Sequence, residues 1–379
     1  MANGGSAGVA GRTAPGNSWL RRSVLKWHLS LALGAGVFYL ILGFTGAVIA
    51  FEQEIPRWSN PHVSFVQPGA TLLPQQQLVA DVERAYAPDR VRAITLATSA
   101  GVSEMMLIAP PGRVTPGQER RAFVDQYTGA VLGTLPLHTG LENVVQELHN
   151  IHLRLTGGKA MQVVVSLAGL TLCVELVFGL LVWFRLKRAQ VKWSGSHFRK
   201  IFDLHNVVGV YAVVFLLIMA VTGTTIGFED FFLADWIYAA TGTTEPAPPP
   251  RGLHSTPAEG EAPIGVDQAI QAASEALPGT SLAMVQLPAN PGGVYTVRRR
   301  VPGETSPAVM SYVLIDQFSG KPLYVHHIDR GQSVIRFIRS VHTGDVFGLA
   351  GHVLVSLFSL ILVLMIASGV IIWWKKLVT

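Results

Sequence analysis

Four long apolar runs, separated by stretches of ordinary polarity, dominate the hydrophobic pattern of the chain. The runs cover residues 29–51, 161–184, 207–228 and 353–374. Each is long enough for an α-helix to cross the hydrocarbon core of a bilayer, which takes about 20 residues. The first run exceeds the roughly 7–15 apolar residues of a cleaved signal peptide, which favours an uncleaved signal anchor. The pattern therefore predicts an α-helical membrane protein built on a bundle of four transmembrane helices.

Two long polar stretches follow the first and third apolar runs with the same succession of patterns. Each holds a helix-like segment, at 74–87 in the first and 264–276 in the second, and then short alternating segments typical of strands, such as 120–124 in the first. Each closes in a hairpin sequence, DQYTGAVLG at 125–133 and DQFSGKPLY at 316–324. Asp, Ser or Thr, and Gly at these offsets suit a tight turn between two strands. We expect two small α+β modules outside the bilayer.

The charges indicate how these segments are oriented. Only 14% of the residues are charged, against about 25% in an ordinary soluble domain. Four basic residues precede the first run, six connect the second run to the third, and two follow the fourth. Basic residues beside membrane spans stay in the cytoplasm, so both termini and this connection are expected there. The sequence pI of about 9.4 is then a signal of topology and requires no nucleic-acid partner.

These inferences divide the chain into segments on the two sides of the lipid bilayer. The expected cytoplasmic parts are 1–28, 185–206 and 375–379, and the four spans are the apolar runs. The expected modules are 52–140 and 229–335, and the segments that lead from them to the even-numbered spans are 141–160 and 336–352.

An internal repeat relates the two halves of the chain. The first span ends FTGAVIAFE (44–52) and the third ends VTGTTIGFE (221–229), an offset of 177 that also places His28 on His205. In the even-numbered spans the offset is 190, which places Gly179 on Gly369 and His152 on His342. Four of the twelve histidines therefore occupy equivalent positions of a helix–module–helix unit.

Symmetric histidines at the ends of membrane helices favour axial ligation of haem. Ionisable residues beside spans are costly and mark function, and neutral imidazoles on facing helices hold haem iron in helix bundles. The single cysteine, Cys173, excludes covalently attached c-type haem. We expect two non-covalent b-type haems, one held by His28 and His205 and the other by His152 and His342.

A competing assignment of the second pair comes from helix length. As one straight helix, the residues from His152 to Trp183 would span about 46 Å, more than the roughly 30 Å hydrocarbon core. A break at Gly157–Gly158, and another at Thr343–Gly344, would bring His152 and His342 closer to the membrane. The alternative ligand is His352, with His149 opposite, although the repeat partner of His352 is Gln162, which is not a usual haem ligand.

Glu175 stands alone in the middle of the second apolar run. A carboxyl at this depth is either a protonated group bonded to a neighbouring helix or a contact for a proton or a quinol. The chain holds no recognisable dinucleotide or flavin segment, so the electrons must come from a separate donor, a quinol or a cytoplasmic reductase.

The chain resembles the PepSY-associated transmembrane proteins of bacterial inner membranes. The resemblance rests on TGAVIAFE, the two hairpin sequences, LHNIHLRLTGG at 148–158 and SVHTGDVFGLAG at 340–351, and it extends from about residue 20 to the end. Within that family the chain is most similar to the dihaem ferric-siderophore reductases of the ferrioxamine type. The resemblance implies an oxidoreductase that passes electrons across the inner membrane to a ferric siderophore in the periplasm and releases Fe(II).

Two other functions are compatible with the same sequence. The first is a haem-free siderophore-binding or permease-like protein, whose modules capture a ligand that the helices conduct. The second is a regulatory scaffold subunit that uses the modules to bind a partner protein. A Soret band in the purified protein distinguishes the haem protein from both.

Overall fold

The computed structural model describes residues 16–112, 114–115, 117–186, 190–257, 260, 262–301 and 309–378. The helices among them are α1 (Gly16–Ile49), α2 (Ile55–Ser59), α3 (Pro61–Ser64), α4 (Gln75–Ala85), α5 (Gly140–Arg154), α6 (Gly158–Leu186), α7 (His197–Phe228), α8 (Ala234–Thr241), α9 (Val266–Ala276), α10 (Arg330–Thr343) and α11 (Gly348–Val378). The strands are β1 (Arg90–Thr95), β2 (Glu104–Ala109), β3 (Arg120–Val124), β4 (Val131–Pro136), β5 (Ser281–Gln286), β6 (Val294–Arg300), β7 (Ser311–Asp316) and β8 (Pro322–His326).

Four helical segments of the described chain are long and apolar enough to cross a membrane. They are Arg22–Ile49, Gly158–Phe184, His197–Thr241 and Asp345–Val378, with mean hydropathies of 2.0 to 2.8. Three of the segments contain the corresponding apolar runs of the sequence, and the first run, 29–51, extends two residues past the end of its helix. At most a third of each most apolar window is buried inside the protein. Side chains that face outward from such helices suit lipid.

The four long helices pack into one bundle whose centre is apolar. Tyr39 of α1 is fully buried there, and its hydroxyl donates to Thr171 of α6 at 3.1 Å. Phe215 of α7 stacks on Phe358 of α11, with ring centroids 4.0 Å apart. We call the end of the bundle from which the strands extend the sheet end, and the end at the α6–α7 connection the loop end.

Two short helices, α5 and α10, lead from the strands to the even-numbered long helices. Each begins with a reciprocal capping box, Thr139 with Glu142 and Asp329 with Gln332, which satisfies the first free backbone N–H groups. These boxes lie 190 residues apart, as the repeat requires. Equivalent local sequences therefore start the two helices that carry His152 and His342.

Both short helices end where the sequence favours a break. After α5 the backbone takes left-handed conformations at Leu155, Thr156 and Gly158. After α10 it does so at Gly344, with φ of 90°. Left-handed residues end a helix, so α5 and α6 are separate helices, as are α10 and α11. The break lets α5 pack against α1, and α10 against α7.

The eight strands form one antiparallel sheet in the order β4-β3-β2-β1-β5-β6-β7-β8. The sequence predicted two modules, and the structure joins their strands through β1 and β5, where Ile94 is paired with Val285. Helices α4 and α9 cover one face, with Leu78 and Ala269 buried in the shared core. One sheet therefore spans both halves of the chain.

Side chains also tie the two halves together at the helices above the sheet. Asp267, at the start of α9, accepts hydrogen bonds from the backbone N–H groups of Gln75 and Gln76 at 2.9 and 3.1 Å. In return the Gln76 side chain accepts from the N–H of Val266 at 3.0 Å. Each helix thus caps the N-terminus of the other.

The segments that follow the first and third spans are more helical than the sequence indicated. Helices α2 and α3 follow α1, and a π-helical turn at Glu229–Leu233 leads from α7 directly into α8. The segment 229–335 therefore begins as a continuation of a long helix. Single π-turns in helices are frequent at functional sites.

Candidate cofactor site

At the sheet end, His152 of α5 and His342 of α10 face each other between the long helices. Their ring centroids are 6.3 Å apart, with 50° between the ring planes. A metal–nitrogen bond is about 2.0–2.1 Å long and the centroid lies about 1.1 Å further, so two imidazoles on opposite sides of one metal have centroids about 6 Å apart. The separation of these two rings therefore suits a metal between them.

Each of these rings is oriented by a threonine of the repeated TG sequence. Nδ1 of His152 is 2.9 Å from Oγ1 of Thr45, and Nδ1 of His342 is 3.0 Å from Oγ1 of Thr222. Each threonine hydroxyl donates to its own helix, to the carbonyls of Ile41 and Ile218. Because a hydroxyl has one proton, each histidine must donate from Nδ1–H, which leaves the lone pair on Nε2 for a ligand.

The glycine of the same TG sequence makes room for each ring. A Cβ on Gly46 would lie 3.1 Å from Cε1 of His152, and one on Gly223 would lie 2.8 Å from Cε1 of His342. Side chains of L-residues do not pack at such distances without displacing their neighbour. The two glycines therefore allow the imidazoles to lie against the backbones of α1 and α7.

The repeated glutamate ends the same motif and holds the short helices in place. Oε2 of Glu52 is 2.6 Å from Nδ1 of His149, one turn before His152. Oε2 of Glu229 accepts from Arg339 at 2.8 Å, one turn before His342. The TG sequence and the glutamate after it thus position both facing histidines.

Burial keeps both facing imidazoles neutral. Desolvation, followed by the neighbouring His342, lowers the pKa of His152 to about 3. Desolvation is also the main cause that lowers the pKa of His342 to about 4. A neutral imidazole is the form that binds a metal, so the pair is ready for ligation at neutral pH.

At the loop end, His28 of α1 and His205 of α7 are close enough to interact electrostatically. Nδ1 of His205 is 2.9 Å from Oγ of Ser368, whose hydroxyl donates to the carbonyl of Met365. As at the sheet end, the hydroxyl has a single proton, which the carbonyl accepts. His205 therefore donates from Nδ1–H, and its Nε2 keeps the lone pair.

His28 has a different partner from its repeat mate. Its Nδ1 lies 2.9 Å from Oε1 of Glu175, although the contact is off the ring N–H direction and Nδ1 makes no aligned hydrogen bond. Glu175, the lone carboxyl of the second apolar run, is 5% exposed. The structure therefore places Glu175 against a histidine of the loop-end pair.

Glycines also face the loop-end histidines. A Cβ on Gly179 would lie 3.2 Å from Cε1 of His28, and one on Gly369 would lie 3.5 Å from Cε1 of His205. These glycines match each other in the repeat. All four symmetric histidines thus have a glycine opposite Cε1 and a hydroxyl or carboxylate oxygen beside Nδ1 in a partner helix.

The alternative ligands have other partners in the structure. His352 is 5% exposed, with Nδ1 2.9 Å from Glu54 and Nε2 3.1 Å from Asp345, so neither ring nitrogen is left for a metal. His149 is engaged with Glu52 through Nδ1. The geometry favours His152 and His342 as the sheet-end pair.

The donor set fits haem. Each end of the bundle offers two histidines with Nε2 free of any other hydrogen bond among the described contacts, and this is what an iron needs when a macrocycle supplies its remaining ligands. The threonine and serine partners are residues that sequence reasoning missed. The signal was present, because the TG dipeptide recurs at the offset of 177, but its role depends on how α5 and α10 pack.

Comparison with known families supplies an identity for the architecture. The family model described as the PepSY-associated TM region matches residues 25–376. A comparison with curated proteins found no significant match.

Proposed function

The chain belongs to the PepSY-associated transmembrane family, and we propose that it is a dihaem membrane oxidoreductase of the bacterial inner membrane that delivers electrons to ferric siderophores in the periplasm. His152 and His342 would hold one haem b, and His28 and His205 the other. When bound, these groups supply reversible one-electron chemistry. The observation that carries the proposal is the facing pair at the sheet end, with its 6.3 Å ring separation.

Hydroxyl groups orient three of the four histidines before any ligand binds. Thr45, Thr222 and Ser368 accept the Nδ1 protons, which fixes the tautomer and the direction of Nε2. Partners of this kind raise the basicity of a ligating imidazole and orient its ring. Because the rigid helices and the glycine contacts already hold the rings in place, the site loses little conformational freedom when a ligand binds.

A packed, largely apolar core at the centre of the bundle separates the two sites. Along α1, the 18 residues from His28 to Gly46 rise about 27 Å. Tyr39 and the stacked pair of Phe215 and Phe358 fill the bundle between the two ends. Packed apolar side chains exclude water from this region, which keeps protons from following the electrons through the bundle.

The loop end carries the charge expected of a cytoplasmic face. Lys375 and Lys376 of α11 lie over the rings of Phe198 and Phe202 at the start of α7, at 5.9 and 5.8 Å. Lys and Arg beside spans favour the cytoplasm. This supports a periplasmic position for the sheet.

The proposed substrate chemistry needs no covalent step on the protein. Hard oxygen donors suit Fe(III), and addition of one electron gives Fe(II), which the same chelate holds more weakly. The chain's task is to bring an electron to the chelate at the sheet end. The expected product is a free siderophore and Fe(II).

A spectroscopic experiment tests the cofactor. Purified protein should show a Soret band, a pyridine haemochrome count of two haems b per chain, and complete extraction of haem by acid–acetone. The alanine variants of His152 and His342 should lose the same haem, and those of His28 and His205 the other. The exposed His138 and His197 serve as controls at the sheet and loop ends, and their alanine variants should keep both haems.

A reoxidation experiment tests the reaction. Protein reduced with dithionite and freed of excess reductant is mixed with ferrioxamine, and Fe(II) is trapped with ferrozine. Reoxidation of the haem spectrum with one Fe(II) formed per electron is the expected result. Haems that stay reduced with ferrioxamine in excess would refute the siderophore part of the proposal.

A further inference from the structure

An apolar cleft opens at the sheet end between α1, α2 and α11. Its volume is about 320 Å³, and its walls include Phe44, Phe51 and Trp58 on one side and Leu360 on the other. Phe44 and Trp58 are 57% and 50% exposed. Because Phe44 and Leu360 belong to candidate membrane spans, the mouth of the cleft faces lipid.

A buried cluster of ionisable groups adjoins this cleft. His352 bonds to Glu54 through Nδ1 and to Asp345 through Nε2. Asp345 also accepts hydrogen bonds from Thr343 at 2.8 Å and from Gln53 at 3.3 Å. Two carboxylates on one imidazole at 5% exposure are costly to bury, so the cluster calls for a function beyond packing.

One oxygen of the cluster remains open. Oε2 of Glu54 is buried and has no hydrogen-bond partner. Glu54 lies between Phe51 and Ile55, which line the cleft, and its partner His352 lies one helical turn before Ser356, which also lines it. Glu54 does not itself line the cleft, so its buried oxygen lies behind the cleft wall. A rotation of the Glu54 side chain would present this oxygen to a hydroxyl of a bound molecule.

The internal repeat does not reproduce the cluster at the equivalent positions of the sequence. At the repeat offsets, Glu54 corresponds to Phe231 and His352 to Gln162. Gln162 donates to the carbonyl of Gly227 at 3.0 Å, an interaction that needs no proton exchange. The histidine pairs are matched in both halves, whereas the acid–imidazole cluster is not.

The cleft is also adjacent to the sheet-end histidines. Ala47 lines the cleft, and the preceding residue, Gly46, contacts the ring of His152. A molecule in the cleft would therefore contact α1 at the residue next to the one on which His152 packs. The position suits a donor of electrons to this end of the bundle.

We propose that this cleft binds a membrane quinol as the electron donor, with Glu54 as the acceptor of its first proton. A quinol combines an apolar ring, a lipid-soluble tail and two hydroxyls, which match the aromatic walls, the opening to lipid and the free Oε2 of Glu54. Oxidation of the quinol (QH2) to the quinone (Q) is balanced as QH2 + 2 Fe(III) → Q + 2 H⁺ + 2 Fe(II). Glu54, His352 and Asp345 conduct the protons to the sheet side, and the inference rests on the proposed function for its electron acceptor.

Photolabelling tests the binding site without any turnover. The full chain in nanodiscs is illuminated with an azido-ubiquinone analogue, and labelled peptides are identified by mass spectrometry. We expect label within 44–58 and 352–360, and its loss with excess decylubiquinone. Val48→Phe, which fills the cleft, should abolish the label. Thr225→Phe, at the equivalent position of the other half, should leave it intact. Label elsewhere, or label that decylubiquinone does not displace, overturns the proposal.

Quinol-driven reduction tests the role of Glu54. Decylubiquinol should reduce the haem spectrum of the wild-type chain, and Glu54→Gln should slow this about 10²-fold, the lower range for loss of a positioned base. Reduction by dithionite should be unchanged. Asp230→Asn, which removes a carboxylate from the π-helical turn that follows α7, is the control and should stay within twofold of wild type. An undiminished rate in Glu54→Gln contradicts the proposal.

Failures of the two proposals are distinguishable. If dithionite-reduced protein reduces ferrioxamine but decylubiquinol reduces nothing, the quinol site is wrong and the reductase function stands. If decylubiquinol reduces the haems and ferrioxamine does not reoxidise them, the quinol site stands and the siderophore function is wrong.

Discussion

Oγ1 of Thr45 lies 2.9 Å from Nδ1 of His152, and the same hydroxyl donates to the carbonyl of Ile41. A single threonine therefore determines which nitrogen of His152 carries the proton. Thr222 does the same for His342 at 3.0 Å. This relationship gives the repeated TG sequence a physical purpose, because a neighbouring helix supplies the acceptor that orients each ligand.

Replacement of Thr45 by valine should weaken haem binding at the sheet end. The change keeps the shape of the side chain and removes the hydroxyl acceptor of the Nδ1–H of His152, and a buried donor that loses its partner costs about 1–3 kcal/mol. Loss of such a partner reduces metal affinity about 10- to 100-fold. Haem titration of the extracted protein measures this. The hydroxyl of Thr225 donates to Val221 in its own helix, so Thr225→Val should bind haem as the wild type does, and a similar loss in both variants would contradict the assignment.

Alanine at the two TG glycines should perturb the sheet-end site in a defined order. The added methyl would meet Cε1 of His342 at 2.8 Å in Gly223→Ala and Cε1 of His152 at 3.1 Å in Gly46→Ala. The tighter contact forces a larger displacement, so Gly223→Ala should convert more of one haem to the high-spin form. Gly34→Ala, which meets nothing within 4 Å, should leave the spectrum unchanged. An equal effect at all three positions would argue that the glycine contacts do not position the two imidazole rings.

The long helices and most strands could be predicted from the sequence because both rest on local periodicity. The predicted strand at 120–124 is β3, and the helix-like segment at 264–276 contains α9. The pairing of β1 with β5 could not be predicted, since it joins residues such as Ile94 and Val285 that are far apart in the chain. Alternation indicates a strand but carries no information about which distant strand lies beside it.

The candidate histidines were predictable for a different reason. The internal repeat singled out four positions without any structure, whereas the choice between His342 and His352 required side-chain contacts. Two carboxylates, from Glu54 and Asp345, occupy both nitrogens of His352. Asp345 is only seven residues from His352, but Glu54 is 298 residues away. No local spacing in the sequence therefore associates all three residues.

Glu104 should make the stability of the sheet depend on pH. Burial raises the pKa of Glu104 to about 7 in spite of the hydrogen bond from Gln75. The folded form then binds a proton that the unfolded chain, with its carboxyl pKa near 4.5, releases. Stability falls as pH rises from about 4.5 to 7 and is constant above that range.

Replacement of Glu104 by glutamine should therefore remove this dependence. The apparent Tm of Glu104→Gln, followed by circular dichroism in detergent, should exceed that of the wild type at pH 8 and approach it at pH 5. The exposed Glu275 provides the control, since Glu275→Gln should follow the wild-type profile at both pH values. A Glu104→Gln variant that is less stable at pH 8 would show that the buried carboxylate is charged and stabilising.

The break between α10 and α11 should be required for the sheet-end haem. Gly344 takes φ of 90° and packs backbone to backbone against Gly351, where a Cβ would collide with the Gly344 carbonyl. Gly351→Ala must push α10 away from α11 and displace His342, so the sheet-end haem should be lost while the haem of His28 and His205 remains.

Gly348→Ala separates the effect of space from that of backbone strain. Gly348 has φ of 53° with ψ of −140°, a combination that glycine adopts far more readily than other residues, and its would-be Cβ meets no described atom within 4 Å. Alanine there therefore costs about 1–3 kcal/mol of conformational strain without a collision. Both haems should remain in this variant, with a modest fall in Tm. If Gly351→Ala keeps two low-spin haems, the position of His342 does not depend on this contact. If Gly348→Ala loses the same haem as Gly351→Ala, backbone strain and not close packing accounts for the effect.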